Sequence, residues 1–381
     1  MTFSPFHLEA WQSKYEFEVD FNLADSGVQP VPLKELLTTP EISNRMREIP
    51  LHYPHVNGTP RLRETIANLY KASASNVLVT VGAAEANSIA LQTLLNPGDE
   101  LIAMEPSYRQ LWGIARNLGC SMIPFHLDPE NSWHANLDEI ERAVTPRTKL
   151  IGVTNPNNPT GKILTTAEID RIVKIAAKHG TWILADEVYR GTERLTEVET
   201  PTFYGRYDRV VAVNSLSKAY GLSGLRIGWV AGPAEMVESI WRRHEYATIS
   251  AGVLDMFLAE IALVEPMRSR LLGRTRRLIR EGYARLEEWI GRHSEVLSIV
   301  PAESTALAFV RYRLNMSSAE VADEIRRRAR VLVAPGEYFG IENHLRMTHG
   351  LKLEYLAEAL ERMGGVFDDL AKRSRTMAGA R

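Results

Sequence analysis

An alternation of short apolar runs with helical patterns, from about Asn76 to Val230, limits the possible folds of this chain more than any other feature. The runs read NVLVTV, ELIAMEP, SMIPFHL, KLIGVT, TWILADE, RVVAVNS and RIGWVAG, and each has the length of a buried strand. Segments such as AAEANSIALQTLL and TAEIDRIVKIAAKHG lie between most of them. Strands that alternate with helices predict an α/β fold whose mostly parallel central sheet is flanked by helices.

The pattern changes after about residue 233. Segments 233–266 and 267–293 each predict a long helix, and shorter strand and helix patterns follow up to a last helix from about Leu353. These patterns predict a small α+β domain on which an N-terminal arm packs. We therefore expect an arm at residues 1–45, a large domain at 46–265 and a small domain at 266–381.

Composition and charge exclude several classes of protein. Of the 381 residues, 45% are hydrophobic and 24% are charged, as in water-soluble globular proteins. The formal net charge of −2 offers no field that would attract nucleic acid or an anionic membrane. The sequence shows no apolar stretch of ~20 residues and no secretory signal pattern, and Cys120 is its one cysteine. We expect a soluble cytoplasmic protein with no nucleic-acid, membrane or metal site.

Lys218 stands among small and apolar residues in the stretch NSLSKAYGLSGLRIGW, and Arg226 follows it. A solvated lysine in a loop is the ordinary explanation. Ser215 and Lys218 also match the S-x-x-K pattern of acyl-serine hydrolases, although the S-D-N and K-T-G elements of those enzymes are missing. A third explanation is an amine that forms a Schiff base with a carbonyl compound. These few residues leave all three explanations open.

Five other positions, four of them near the ends of predicted strands and one inside a short strand pattern, are suited to hold a ligand. Asp186 ends the run TWILAD, where a buried carboxylate is costly unless it is paired. Asn158, in TNPNNPTGK, and Tyr108, in EPSY, follow other strands. Gly82 opens a helix whose first amides could bind phosphate, and Arg346, in HLRMTHG, could clamp a carboxylate. Taken singly, a helix cap, a turn, core packing or a surface ion pair explains each of them equally well.

Taken in order, these motifs resemble those of the class I/II aminotransferase family of fold-type I pyridoxal-phosphate enzymes. The motifs are YPHVNGTPRLRE, VGAAEAN, PSY, NPNNPTG, DEVY, SLSKAYGLSGLRIG, and APGEYFG followed by LRMTHG. The resemblance runs from about Tyr53 to Arg346, which is most of the chain. It implies the cofactor pyridoxal 5′-phosphate and a reaction that moves an amino group between an α-amino acid and a 2-oxo acid.

The resemblance also implies roles for individual residues. Lys218 would form the Schiff base, Asp186 would pair with the pyridine nitrogen of the cofactor, and Tyr108 would stack on its ring. Other residues that would contact the cofactor are Gly82, Ala83, Ala84, Asn158, Tyr189, Ser215, Ser217 and Arg226. Residues that would contact the substrate are Gly27, Asn158 and Arg346. Tyr53 matches a tyrosine that reaches the neighbouring active site, which implies a homodimer.

The N-terminal arm departs from the usual family pattern. Gly27 is present, but Pro30 follows three residues later instead of in a Gly-x-Pro loop. The stretch FHLEAWQSKYEFEVDFNLADSGVQP resembles the capreomycidine synthase-like branch, which implies an alternative: cyclisation or elimination on a hydroxylated, arginine-derived amino acid. We hypothesise that one acid of the arm meets a cationic side chain such as guanidinium; solvated surface charge is the simpler explanation. The acids considered are Glu16, Glu18, Asp20 and Asp25.

Overall fold

The computed structural model describes residues 3–379 of the chain. Its strands are β1 (Phe21–Asn22), β2 (Val77–Val81), β3 (Glu100–Glu105), β4 (Ser121–Asp128), β5 (His134–Ala135), β6 (Thr148–Thr154), β7 (Trp182–Asp186), β8 (Val210–Ser215), β9 (Ile227–Ala231), β10 (Leu297–Ile299), β11 (Leu307–Tyr312), β12 (Val331–Leu332), β13 (Ala334–Pro335) and β14 (His344–Thr348). Its helices are α1 (His7–Tyr15), α2 (Pro40–Arg47), α3 (Pro60–Tyr70), α4 (Gly82–Leu94), α5 (Gln110–Asn117), α6 (Leu137–Ala143), α7 (Thr166–His179), α8 (Ala234–Ala247), α9 (Val253–Ala262), α10 (Met267–Arg292), α11 (Ser318–Ala329) and α12 (Leu353–Gly379).

An eight-stranded sheet, in the order β2-β9-β8-β7-β6-β3-β4-β5, forms the centre of the larger part of the fold. Strands β4, β3, β6, β7 and β8 are parallel neighbours. Strand β9 pairs antiparallel with β8 and β2, and β5 pairs antiparallel with β4. The prediction of an α/β fold with a mostly parallel sheet is confirmed.

Helices cover both faces of this sheet because successive side chains of a strand point to opposite faces. Ile151 and Ile183 pack in one core with residues of α6 and α7. Their chain neighbours Leu150 and Leu184 pack in another core with residues of α4, α5 and α8. The strands are therefore buried on both sides, which explains their nearly continuous apolar runs.

The C-terminal part of the chain contains a second, antiparallel sheet in the order β10-β11-β14-β13. Residues of α10, α11 and α12 pack in one core with it. The N-terminal arm lies against this part, since β1 pairs with β12 and the indole Nε1 of Trp11 donates a hydrogen bond to the Val333 carbonyl over 3.0 Å.

The prediction of one long helix at residues 233–266 is wrong. The structure breaks segment 233–266 into α8 and α9, with Ile249 at a φ of 68° and Gly252 as the N-cap of α9. A positive φ at a β-branched residue is incompatible with a continuous helix. The prediction of a helix at 267–293 is confirmed by α10.

Within residues 3–379, none of the helices has the length and apolar character needed to cross a membrane. In the same residues, no group of three or more His, Cys, Asp or Glu side chains is placed to hold a metal ion.

Candidate active site

Four predicted site residues come from four neighbouring parallel strands of the central sheet. Tyr108 follows β3, Asn158 follows β6, Asp186 ends β7 and Lys218 follows β8. The carboxyl ends of parallel strands lie at one edge of the sheet, where ligands of such folds bind. The sheet order therefore brings together residues that are far apart in the sequence.

These residues line a cavity of about 160 Å³. Predicted site residues in its wall are Ala83, Ala84, Tyr108, Asn158, Asp186, Tyr189, Ser215, Ser217, Lys218 and Arg226. Residues in its wall that the sequence did not single out are Ser26, Asn87, Gln110, Thr154, Val188 and Ser223. Gly82, Arg346, Gly27 and Tyr53 do not form part of the wall.

The amine of Lys218 is partly buried in this cavity. Its Nζ donates a hydrogen bond to Ser26 Oγ over 2.7 Å. Burial lowers the pKa of Lys218, and the charge of Asp25 opposes that shift. A lysine with a lowered pKa has a larger neutral, nucleophilic fraction near pH 7, as Schiff-base chemistry requires.

Asp186 is buried at the floor of the cavity and has two protein partners. Its Oδ2 accepts from Asn87 Nδ2 over 2.9 Å, and its Oδ1 accepts from the Val188 amide over 3.2 Å. Burial raises the pKa of Asp186, whereas these hydrogen bonds and the charge of Lys218 lower it. A cationic partner within the cavity would stabilise the carboxylate further.

Arg346, on β14, is 1% exposed and belongs to a network of polar groups beside the cavity. Its Nη1 donates to Asn158 Oδ1 over 3.2 Å, and its Nη2 donates to the Ala24 carbonyl. Asn158 Nδ2 in turn donates to Tyr189 Oη over 3.3 Å. Within the described residues, the Nε of Arg346 has no hydrogen-bond partner, so a buried guanidinium retains a donor for a ligand.

The start of α4 and the start of β9 form a tight cradle at one end of the cavity. Gly82 has a φ of 72°, and a Cβ there would lie 2.5 Å from Arg226 Nη2. A Cβ at Gly228 would lie 2.5 Å from the Ala83 amide nitrogen. The two glycines thus allow backbone and guanidinium to come close together where the first amides of a helix lack intrahelical acceptors. Such a helix start, together with an arginine, favours an anion.

The family model for aminotransferase class I and II matches residues 32–363. The chain belongs to this family. It is a pyridoxal-phosphate-dependent aminotransferase by descent, with the fold-type I architecture.

Known members of the family align with nearly the whole chain. An arginine–pyruvate transaminase of Pseudomonas aeruginosa is 29% identical over 82% of this chain and 81% of its own. Capreomycidine synthase of Streptomyces vinaceus is 29% identical over 89% of this chain and 88% of its own. The crystal structure of a pyridoxal-phosphate-dependent aminotransferase from Streptococcus suis has a TM-score of 0.91 and 30% identity, and it covers 97% of this chain and 99% of that one. Other relatives are named aspartate aminotransferases, so the printed names differ in substrate.

The cavity of this aminotransferase fits its cofactor in three respects. The cradle at Gly82 and Arg226 suits a phosphate group, and the buried carboxylate of Asp186 suits a protonated pyridine nitrogen. Asn158 and Tyr189, which are hydrogen-bonded to each other, add polar atoms to the wall of the same cavity. The residues present therefore fit pyridoxal phosphate.

Three hydroxyl-bearing residues of the expected cofactor set differ in their surroundings. Ser215 Oγ accepts from the Ser217 amide over 3.2 Å, and both residues line the cavity. Tyr108 also lines it, but its Oη donates outward to Glu9 Oε1 over 2.7 Å. Burial, followed by the neighbouring charge of Glu9, raises the pKa of Tyr108, so this phenol stays protonated.

Two residues expected at the site lie outside the cavity. Tyr53 is 79% exposed in the single chain. Gly27 donates its amide to Asp25 Oδ1 over 2.9 Å, and its carbonyl accepts from Thr348 Oγ1 over 2.8 Å. Its chain neighbour Ser26 contacts the lysine amine instead.

The acids of the arm fall into two groups. Glu18 lies 3.8 Å from Arg326, and Asp20 forms ion pairs with arginines of the C-terminal part. Asp25 lies close enough to the cavity that its charge acts on Lys218 and on Arg346. Asp25 is therefore the one candidate among the four hypothesised acids whose charge reaches the site, since Glu16 caps the far end of α1.

Sequence reasoning missed two arm residues at the site, Ser26 and Glu9. Glu9 lies on α1 and reaches Tyr108, and its charge also acts on Lys218. Neither residue belongs to a motif, and their positions depend on how the arm packs. The apolar spacing of Leu8, Trp11 and Tyr15 predicts only that one face of α1 is packed, and it does not indicate what Glu9 contacts.

Proposed function

We propose that Lys218 forms the Schiff base with pyridoxal phosphate and that the enzyme transfers the amino group of an α-amino acid to a 2-oxo acid. The observation that carries this proposal is the placement of the Lys218 amine. It lies in one cavity with the buried carboxylate of Asp186 and with the anion cradle at Arg226. Its lowered pKa suits nucleophilic attack on a carbonyl group.

Arg346 holds the α-carboxylate of the substrate in this proposal. Its buried guanidinium has an unused Nε donor, and Asn158 orients the neighbouring Nη1. Binding a carboxylate there satisfies both charges in a site that is shielded from water. Because the carboxylate stays bound to Arg346, the chemistry is directed to the Cα–H bond.

Lys218 then acts as the base and acid at the substrate Cα. When bound, pyridoxal phosphate supplies an electron-accepting ring that stabilises negative charge at Cα. The neutral amine of Lys218 takes the Cα proton, while Asp186 keeps a positive charge favourable at the floor of the cavity. Tyr189, 2% exposed, and Asn158 hold the polar wall, and Tyr108 covers the cavity from the side of the arm.

We further propose that the substrate has a cationic side chain. Glu9 and Asp25 hydrogen-bond Tyr108 and the Gly27 amide, and within residues 3–379 neither acid has an ion-pair partner. With Arg346 matched by the α-carboxylate, these two charges are left for another group of the substrate. The similarity to an arginine–pyruvate transaminase supports the same class.

The first experiment identifies the lysine. Borohydride reduction of the purified enzyme with pyridoxal phosphate, followed by peptide mapping, is expected to label Lys218. Lys218→Arg should lose the label and the visible absorption of the bound cofactor, whereas Lys174→Arg, on the exposed side of α7, should keep both. A label on another lysine would refute the assignment.

The second experiment identifies the reaction. The enzyme is incubated with single amino acids, including arginine, lysine and hydroxylated arginine, with and without pyruvate. A 2-oxo acid product together with alanine supports transamination. A cyclic amino acid formed without consumption of pyruvate would instead establish the cyclisation alternative and overturn transamination.

The active enzyme is a homodimer in this proposal. Leu51 and Tyr53 are each 79% exposed and Tyr246 is 96% exposed, which leaves large apolar side chains in water in a single chain. A second subunit would cover them and bring Tyr53 to the neighbouring cavity. Light scattering is expected to give the mass of two chains, and a monomeric active enzyme would contradict this.

A cytoplasmic location also belongs to the proposal. Cys120 is free and buried, as is usual for proteins of reducing compartments. Fractionation of producing cells is expected to recover the activity with the cytosol.

A further inference from the structure

Ser26 is a residue of the N-terminal arm that contacts the catalytic lysine directly. Its Oγ accepts a hydrogen bond from Lys218 Nζ over 2.7 Å, across 192 positions of sequence. Ser26 lines the same cavity as Lys218 and Asp186. Ser26 directly precedes Gly27, in the stretch where the arm departs from the usual Gly-x-Pro pattern.

The backbone around Ser26 is held in place by residues of the site. Arg346 donates to the carbonyl of Ala24, and Tyr189 Oη donates to the carbonyl of Ser26 over 3.1 Å. Thr348 Oγ1 donates to the carbonyl of Gly27 over 2.8 Å. These three hydrogen bonds fix the backbone of residues 24–27. The Ser26 hydroxyl is therefore held in place next to the Lys218 amine.

A hydroxyl is chemically suited to hold a lysine that changes its protonation state. Serine oxygen accepts from both a neutral amine and an ammonium group, so it restrains Nζ in both states and favours the charged form only modestly. A carboxylate in the same place would favour the ammonium form and weaken the base. The nearby Asp25 carboxylate is engaged with the Gly27 amide instead.

We propose that Ser26 is a positioning residue that holds the free amine of Lys218 over the substrate Cα during proton transfer. This inference rests on the proposed role of Lys218. In the step concerned, Nζ takes the proton from Cα while the electron pair of the C–H bond stays with the substrate, and the ammonium later returns the proton. A long lysine side chain has many rotamers, and the hydroxyl selects those that keep Nζ in the cavity.

The test compares Ser26→Ala with Ser26→Thr, which keeps a hydroxyl, and with Ser13→Ala, which removes an exposed hydroxyl elsewhere on the arm. Ser26→Ala is expected to lower kcat roughly tenfold with little change in KM, since one hydrogen bond to the base is lost. The primary isotope effect with α-deuterated amino acid should rise, because proton transfer becomes slower. Ser26→Thr should restore much of kcat, and Ser13→Ala should match the wild type.

A second readout needs no turnover. The rate at which the apoprotein captures pyridoxal phosphate depends on the neutral fraction of the Lys218 amine. Removing an acceptor for the ammonium should move the midpoint of this pH profile to lower pH in Ser26→Ala and leave it in place in Ser13→Ala. An unchanged midpoint together with an unchanged isotope effect would overturn the inference.

Borohydride labelling separates failure of this inference from failure of the proposed function. If Lys218 is labelled in Ser26→Ala and the variant behaves as the wild type, the role of Ser26 is refuted and that of Lys218 stands. If Lys218 is not labelled in the wild type, both are refuted. Matching thermal unfolding curves for the two Ser26 variants exclude misfolding as the cause of an effect.

Discussion

The carboxyl edge of the central sheet and the N-terminal arm both line the cavity, but they are built in different ways. At the sheet edge, Asn158, Asp186 and Lys218 each follow a buried strand whose neighbours fix its position. On the arm, Ser26 lies in irregular backbone that is held by contacts from residues far away in the sequence. Residue positions at the sheet edge follow from the local sequence pattern, whereas residue positions on the arm follow from tertiary packing.

Because of this difference, the two regions contribute different kinds of groups to the site. The sheet edge holds the groups suited to the cofactor, and these are the groups that family motifs share. The arm contributes Ser26, which contacts the amine of Lys218 in the cavity, and Glu9, which accepts a hydrogen bond from the cavity residue Tyr108. Residues in irregular segments vary more freely than strand ends, so the arm is where reaction and substrate choice can diverge among relatives.

The largest effect is expected from the sheet edge. Asp186→Asn keeps the shape and the acceptor for Asn87 but removes the charge that favours a protonated pyridine nitrogen. Breaking such a buried pair costs about 3–5 kcal/mol, so kcat/KM should fall on the order of 1,000-fold. Steady-state kinetics measure this, with cofactor content determined in parallel. A fall of less than tenfold would mean that Asp186 does not serve the cofactor.

The second prediction concerns stability and pH at the neighbouring Glu187. Burial raises the pKa of Glu187 from 4.5 to about 7. The folded state thus binds a proton that the unfolded state releases, and stability falls as pH rises from about 4.5 to about 7. Glu187→Gln removes this loss, which is worth on the order of 3 kcal/mol.

Urea unfolding at several pH values tests the prediction for Glu187. The stability of Glu187→Gln relative to the wild type should rise through that pH window and level off above it. Because this carboxylate is hydrogen-bonded to Thr202 and the Phe203 amide, away from the cavity, kcat/KM should stay within severalfold of the wild type. A constant stability difference across pH would show that Glu187 does not titrate in this range.

The strand ends and several helix limits were predictable from the sequence because local rules set them. For α7, predicted from the segment TAEIDRIVKIAAKHG, the Thr165 side chain caps the start, and Gly180, with a φ of 66°, ends the helix. Helix ends of this kind are set by hydrogen bonds between residues that are close in the sequence. The break at Ile249 was missed because the apolar spacing continues through it.

The part of the site that lies next to strands and helix starts was predictable for the same reason. Ten of the expected residues line one cavity, since each lies close to an end of a central strand or at the start of α4. Ser26 and Glu9 were not predictable, because nothing within a few residues of either indicates the approach of Lys218 or Tyr108. Such contacts follow from the packing of the arm, and one sequence carries little local signal of it.

The third prediction returns to the place where the sheet part and the arm meet. Arg346→Lys keeps the charge but loses the guanidinium fork that, in the proposed function, would bind the substrate carboxylate and that contacts the Ala24 carbonyl. KM for the amino acid should rise roughly 100-fold with a smaller change in kcat. Arg311→Lys, an exposed position on the adjacent strand β11, is the matched control and should change neither. Equal effects of the two substitutions would refute the clamp.

The smallest effect is expected on the arm and bears on selectivity. Glu9→Gln removes a charge but can still accept from Tyr108 Oη, so the packing of the arm is kept. The ratio of kcat/KM for arginine to that for an uncharged amino acid of similar length should fall roughly fivefold, because an exposed carboxylate contributes about 1 kcal/mol to the binding of a cation. The fall should be larger at low salt, where screening is weaker.

Glu16→Gln is the matched control for Glu9, since it removes the same charge at the far end of α1. A lower ratio in both variants would indicate a general field of the arm, and no change in either would remove the basis for a cationic substrate. If only Glu9→Gln lowers the ratio, the Glu9 carboxylate, which lies outside the motifs, selects the side chain of the substrate. The motif residues of the sheet edge would then hold the groups that all substrates share. The comparison of the two regions would then be one of function as well as of construction.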